Sequence, residues 1–252
     1  MTTDHVIARN FSTHSENRMH SDEMANRYGF KSALVPGVAI YGHLVKPLVE
    51  HYGETWFDNS CVEVKLIKPT YHGDELTIEW PREGHNVVAT NQRGELISII
   101  TPHSPSPLAD ELGLDGDLKQ PGRPEIAWDN VCIDEVFSPW AVKLSEQENL
   151  RYCAEIGDED VAYQNYIHPH YLLSLANEAL MQEYVMPAWI HVKSKTTHRS
   201  ALKVNDEVVV RSVVTERTER KGHQFIAIHL TFWRDDAVAV DIEHHAIFRI
   251  AE

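Results

Sequence analysis

Two stretches of the chain carry apolar residues at helical spacing. In residues 34–52 (LVPGVAIYGHLVKPLVEHY), Tyr41, Leu44, Val45, Leu48, Val49 and Tyr52 recur every three or four positions, which predicts a helix with one face turned to a core and a kink or local break at Pro47. In residues 166–184 (YIHPHYLLSLANEALMQEY), Leu172, Leu173, Leu175, Ala176, Ala179, Leu180 and Met181 fall on more than one side, so a helix over 169–184 should be buried almost all round. Period-two alternation follows each helix. After the first it runs through CVEVKLIKP from Cys61, ELTIEW from Glu75, VVAT from Val87 and ELISIIT from Glu95; after the second, through 188–198, 206–216, 222–234 and 237–250.

The two helical stretches lie 132 positions apart (166 minus 34), and the same offset carries Asp74–Ile78 onto Asp206–Val210. A unit of helix and antiparallel strands is therefore repeated. The lead-in to each copy is also helical. Ser21-Asp22-Glu23 opens a short helix stopped by Gly29, after a strand expected at 5–11, and Ser145 caps a helix that has Glu148 three residues on and Gly157 as its stop. Between the copies lie the Pro/Gly-rich runs PHSPSPL and KQPGRPE. The expected organisation is an N-terminal domain over 1–101, a linker over 102–136 and a C-terminal domain over 137–252. An apolar helix wrapped by an antiparallel sheet is the hot-dog layout, so the fold class is α+β, a double hot dog.

Composition narrows the function. With 42% hydrophobic and 24% charged residues the 252-residue chain suits a globular protein, and no run approaches the roughly 20 apolar residues of a membrane span. A net charge of −15 argues against nucleic acid as a partner. Three scattered cysteines suggest neither a disulfide framework nor a metal site, and the sixteen histidines are not set among Cys or carboxylate ligands at a metal-binding spacing. A cytoplasmic protein acting on a small molecule, without metal or resident cofactor, is the expectation. The internal repeat allows a monomer with an internal pseudo-dimer, or a homodimer.

The segment SENRMHSDEMANRYGF followed by LVPGV resembles the active-site segment of the MaoC-like (R)-specific enoyl-CoA hydratases and dehydratases. That motif runs Asp-x-Asn-Pro-aliphatic-His, then an acidic residue, a helix and a Gly-containing loop. Asn17 and His20 match its Asn and His, Asp22 the acidic residue, and Gly37 the glycine opening the long helix. Ser15 stands where the family has its catalytic Asp, and Arg18 where it has Pro. In the second half RYCAEIGDED resembles the stretch upstream of the same motif, with Asp158 matching a family Asp, but the Asn-Pro-aliphatic-His that should follow is absent.

The resemblance implies a hydro-lyase that adds or removes water at the double bond beside a thioester carbonyl, in an acyl-CoA or a carrier-protein thioester. His20 would be the acid/base, because an imidazole with a pKa of about 6.5 takes and returns a proton at neutral pH. The Gly37 amide at the helix start would polarise the carbonyl, with Pro36 and Tyr41 beside the substrate. Glu16 could replace the missing carboxylate, Asn17 could hold the loop, Asp158 stands at a family Asp, and aligning Asn165-x-x-His168 with Asn17-x-x-His20 would make His168 a catalytic equivalent, though neither half carries the complete Asp/His pair. For His168, the 132-residue register sets it opposite Pro36 at the entrance of the second helix, where it would contact a ligand, Asp158 or the helix end. Two alternatives stay open: a non-catalytic binder of acyl or other apolar ligands, and a hot-dog thioesterase using Glu16 or Asp158.

Overall fold

The structure, a computed structural model, describes residues 2–108, 114, 116, 118–120 and 122–251. Strand β1 (Thr2–Ile7) opens the chain. A single 3-10 turn (Arg18–His20) and α1 (Asp22–Arg27) follow, then the buried helix α2 (Gly37–Tyr52), the short α3 (Thr55–Asp58) and strands β2 (Ser60–Leu66), β3 (Glu75–Trp80), β4 (Val87–Asn91) and β5 (Leu96–His103). The second half repeats the series: β6 (Trp140–Lys143), α4 (Glu146–Ile156), the buried helix α5 (Pro169–Glu183), then β7 (Ile190–His198), β8 (Glu207–Arg220), β9 (His223–Arg234) and β10 (Ala237–Arg249). The helix pair and the β3/β8 pair both keep the 132-residue offset (169 minus 37; 207 minus 75).

All ten strands join in one antiparallel sheet. Its order, β1-β3-β4-β5-β2-β7-β10-β9-β8-β6, places each copy's first strand at an outer edge and its second at the middle. There β2 pairs with β7 from Ser60↔His198 to Lys65↔Lys193, so the two copies meet edge to edge. The chain is a double hot dog.

Four local outcomes differ from the pattern or refine it. The first strand lies at Thr2–Ile7 rather than 5–11, and just beyond it the Ala8 amide donates to Asp74 O and the Ala8 carbonyl accepts from the Gly73 amide, the last bonds to the turn ahead of β3. Helix α2 runs unbroken through Pro47; Val45, Pro47, Leu48 and Val49 are buried in the core, and that burial outweighs the roughly 3 kcal/mol cost of an interior proline. Ser145 caps α4 by accepting from the Glu148 amide, and Gly157 closes it in the left-handed region. The two halves do not keep separate cores. Side chains of α2 and α5 belong to one apolar cluster with buried residues of β2 to β5 and β8 to β10, whereas β7 turns polar residues such as His191, Ser194 and Thr196 inward. Helix α2 comes so near α5 at Gly42 that a Cβ there would lie 3.1 Å from the Cβ of His170.

Part of the expected 102–136 linker, residues 109–113, 115, 117 and 121, lies outside the described residues. Its later portion is tied to the second half by the Val136↔Val213 and Glu125↔Val185 bridges and by Lys119 Nζ, 3.5 Å from Glu183.

Candidate active site

Two hollows flank the start of α2, and His20 lines both. The first, about 270 Å³, is walled by Ser15, Asn17, His20, Pro36 and Val38 from the first half and by Arg151, Tyr152, Glu155, His170, Ser174, Asn177, Glu178 and Trp189 from the second. The other, about 220 Å³, is mostly apolar, with Phe30, Leu34, Ile40, Leu66, Ile190 and Ile247 around Gly37 and His191. A polar chamber and an apolar cleft thus meet at one imidazole.

The loop that carries His20 is fixed by Asn17. Its side-chain oxygen accepts from the amides of Met19 (3.2 Å) and Trp189 (3.3 Å), while its Nδ2 donates to Trp189 O (3.0 Å). The short first loop is thereby docked on the chain just ahead of β7. His20 Nδ1 is 2.7 Å from Leu34 O, and a carbonyl can only accept, so the proton resides on Nδ1. Nε2 is then a lone-pair nitrogen, with Asn17 Nδ2 at 3.4 Å. Burial lowers the pKa of His20, with the Leu34 carbonyl opposing, so the ring is a neutral base at pH 7.

Beside it, Pro36 caps α2 and offers no side-chain acceptor. The amides of Gly37 and Val38 find no acceptor among the described residues, and the positive end of the helix faces the hollows. Gly37 allows a close approach: a Cβ would lie 2.2 Å from Leu66 Cδ1 and 2.9 Å from His191 Nδ1.

The second copy's helix start is closed instead. His168, the residue at the Pro36 position, caps α5 by accepting the His170 amide on Nδ1 (2.9 Å), and its Nε2 donates to Asp158 Oδ2 (3.3 Å). Asp158 and His168 are 3% and 0% exposed, and neither lines a hollow among those described. Burial raises the Asp158 carboxyl, but the His168 hydrogen bond and charge outweigh it and the net shift is downward; burial holds His168 low. Asp158 and His168, each a candidate catalytic residue from the sequence, are therefore a sealed structural pair, with both imidazole nitrogens occupied.

Two further expectations are corrected. Glu16 turns outward to Arg123, Oε2 to Nη2 at 2.6 Å, and leaves the chamber without a carboxylate from that loop. Tyr41 is fully buried one turn inside α2, away from both hollows.

Sequence reasoning missed the polar wall that α4 and α5 supply from the second half. Glu155 is half-buried there, with Arg151 Nη1 at 2.5 Å and His170 Nε2 at 3.9 Å, and burial, opposed by Arg151, raises its pKa. His170 Nδ1, Asn177 Oδ1 and Trp189 Nε1 are buried with no partner among the described residues. Unpaired groups of this kind are costly unless a ligand or water meets them. Their signal was present as a polar stripe on α5, His170, Ser174, Asn177 and Glu178, at spacings of three and four within an otherwise greasy helix.

No family model matches the sequence, and no curated protein matches it. Solved structures do, at the level of fold. A MaoC domain dehydratase of Chloroflexus aurantiacus J-10-fl superposes with a TM-score of 0.60 at 12% identity, over 98% of this chain and 95% of that one. A Mycobacterium tuberculosis protein with a double hotdog fold gives 0.60 at 11% identity, over 98% and 95%. An oleoyl thioesterase of Lactobacillus plantarum gives 0.56 at 9% identity, over 99% and 96%.

Proposed function

We propose that this double hot dog is a hydro-lyase for a 2-enoyl or 3-hydroxyacyl thioester. The observation that carries the reading is the pairing of a neutral His20, proton on Nδ1, with the open amides at the start of α2. In hydration, a water oxygen bonds to C3 while His20 Nε2 takes its proton. The π electrons move through C2 into the thioester carbonyl as an enolate, which the helix-start amides stabilise. The His20 imidazolium then delivers the same proton from Nε2 to C2, which completes the addition of water and returns the ring to its neutral form. Dehydration is the reverse.

The chain's two hollows match such a substrate, the apolar cleft for the acyl chain and the polar chamber for the reacting centre. The likeness of the Ser15–His20 loop to the MaoC-like motif and the shared fold with a MaoC domain dehydratase support the class. CoA or a carrier protein would be the thiol part of the substrate.

One observation favours a second reading: Ser15 replaces the family's Asp, while Glu155 offers a carboxylate that could activate water against the thioester carbonyl itself. That is thioester hydrolysis, the activity named for the Lactobacillus plantarum protein. Assay with crotonyl-CoA and longer 2-enoyl-CoAs, following both loss of the enoyl absorbance and free-thiol release, separates the readings. Hydration lost in His20→Ala supports the hydro-lyase; thiol release lost in Glu155→Gln supports the thioesterase. Binding with no turnover in either assay makes the protein an acyl carrier or sensor and rejects both.

A further inference from the structure

The apolar cleft contains a buried hydrogen-bond chain that the mechanism above does not use. His191 Nε2 lies 2.8 Å from Ser194 Oγ, and the same oxygen lies 2.8 Å from His244 Nδ1. The three residues are 6%, 0% and 0% exposed, and His191 lines the cleft next to Gly37. Residues three apart on a strand ordinarily face opposite ways. Here the ladder between β10 and β7 passes from His245↔Lys193 to Ala246↔His191, so Val192 is an extra, bulged residue that puts His191 and Ser194 on one face. Ser194 pairs directly with His244 across the ladder, which completes the line.

The outer nitrogens at the two ends of this chain, His191 Nδ1 and His244 Nε2, have no partner among the described residues. Of the two rings, His191 lines the apolar cleft and His244 lines neither of the two hollows described. His191 Nδ1 lies 2.9 Å from where a Gly37 Cβ would be, beside the open amides of α2. A polar atom buried among Leu66, Ile190 and Ile247 has a cost, and a ligand oxygen placed at the helix start would remove it.

We infer that His191 is a second hydrogen-bond donor to the ligand's carbonyl oxygen, completing with the α2 amides an oxyanion site whose polarity is set by Ser194 and His244. A hydroxyl has one proton, so Ser194 must donate to one ring and accept from the other. If His244 Nδ1–H donates to Ser194 and Ser194 donates to His191 Nε2, then His191 carries its proton on Nδ1, toward the cleft. The reverse arrangement puts both protons on Nε2. The two rings are locked to the same tautomer, and a carbonyl or enolate oxygen at the helix start selects Nδ1–H in both. Burial lowers His191 to about 3 and pushes His244 down as well, so both rings stay neutral and act by polarisation, without net proton transfer. Ser194 and His244 are positioning residues.

The inference rests on the thioester reading only for the kind of carbonyl bound, and its test does not need turnover. The probe is butyryl-CoA labelled with ¹³C at the carbonyl, bound to the full chain. The carbonyl stretch should fall to lower wavenumber on binding; His191→Phe should abolish most of that fall, and His20→Ala should keep it. Selective ¹⁵N labelling, assigned with His191→Gln and His244→Gln, should show both rings in the complex protonated on Nδ1, and in Ser194→Ala the His244 tautomer should no longer follow His191. If enoyl hydration is present, His191→Phe should lower kcat on the order of a hundred-fold. Unlike tautomers in the two rings, Nε2–H in the complex, or a carbonyl shift indifferent to His191→Phe overturns the inference while leaving the hydro-lyase reading intact. Absence of hydration with the His191-dependent shift preserved does the opposite, and failure of butyryl-CoA to bind overturns both.

Discussion

His168 Nε2 lies 3.3 Å from Asp158 Oδ2 in a pocket of protein that excludes solvent, and the same ring's Nδ1 takes the first free amide of α5. Pro36, 132 residues earlier (168 minus 36), can do neither. The asymmetry between the two copies thus follows from one position: a side chain that caps its helix closes one end, and a proline that cannot leaves the other open to a ligand. His168→Ala should therefore cost stability and spare function. Losing a buried cap and leaving Asp158 unpaired should destabilise the chain by about 3 kcal/mol. Urea unfolding reads the loss, and the Kd for butyryl-CoA should stay within about two-fold of wild type. A large loss of affinity with unchanged stability would return His168 to the candidate site.

The acid stability of the fold follows from its buried imidazoles. Burial lowers His43 and His198 to about 4 and His191 to about 3, and it also lowers His168, His170 and His244. A histidine whose folded pKa is depressed favours the folded chain fully above its unfolded value of about 6.5, and that contribution is lost as pH falls toward the folded value. The unfolded chain binds more protons throughout that interval. Each group adds up to about 1.4 kcal/mol per pH unit, so the six together make stability fall steeply below about pH 6. The depressed Asp158 acts in the same sense at lower pH, below the unfolded value of about 3.9. Circular dichroism against pH should show cooperative unfolding complete by about pH 4, with uptake of several protons. A urea midpoint unchanged between pH 7 and pH 5 would contradict it.

Gly37→Ala tests the close approach at the helix start. Its Cβ has no room beside Leu66 Cδ1 and His191 Nδ1, so one of them must move into the apolar cleft. Overpacking of this kind costs about 1–3 kcal/mol. The expected result is a raised KM for long 2-enoyl-CoAs, larger than for crotonyl-CoA, because the displaced side chain fills the acyl end. Equal KM values for all chain lengths would put the acyl chain elsewhere.

How far the sequence could be read is visible in particular residues. The repeat, both buried helices and the Ser145 and Gly157 caps follow from local spacing and cap chemistry, and these are short-range causes. His20, Asn17 and Gly37 lie within one loop and one helix start, so they too could be found as neighbours. Glu155 and His170 reach the same chamber only because α4 and α5 are folded against the first half, a distance of more than a hundred residues that no local pattern encodes. The His191–Ser194–His244 line depends on a single bulged residue, Val192, which shifts the facing of two side chains without a mark in the alternation. Glu16 was misplaced for a similar reason: its partner, Arg123, comes from the connection between the halves.

Ser15→Asp places a carboxylate where the MaoC-like motif has one. Ser15 lines the chamber with His20, and its Oγ accepts from the Asn17 amide at 3.2 Å, a bond that an Asp side chain can keep. In the wild type, burial holds the His20 pKa below 6.5, and activity that requires its neutral form is lost only as pH falls through that lowered value. A nearby carboxylate favours the imidazolium, so the acid limb of kcat/KM for crotonyl-CoA should move up by about one pH unit. His20→Ala should remove the limb and lower kcat/KM by about 10²–10⁴-fold, with the unfolding midpoint nearly unchanged because the half-buried ring caps no helix. If the limb stays in place in Ser15→Asp while hydration persists, the titrating group is not His20, and Glu155 becomes the group to replace next.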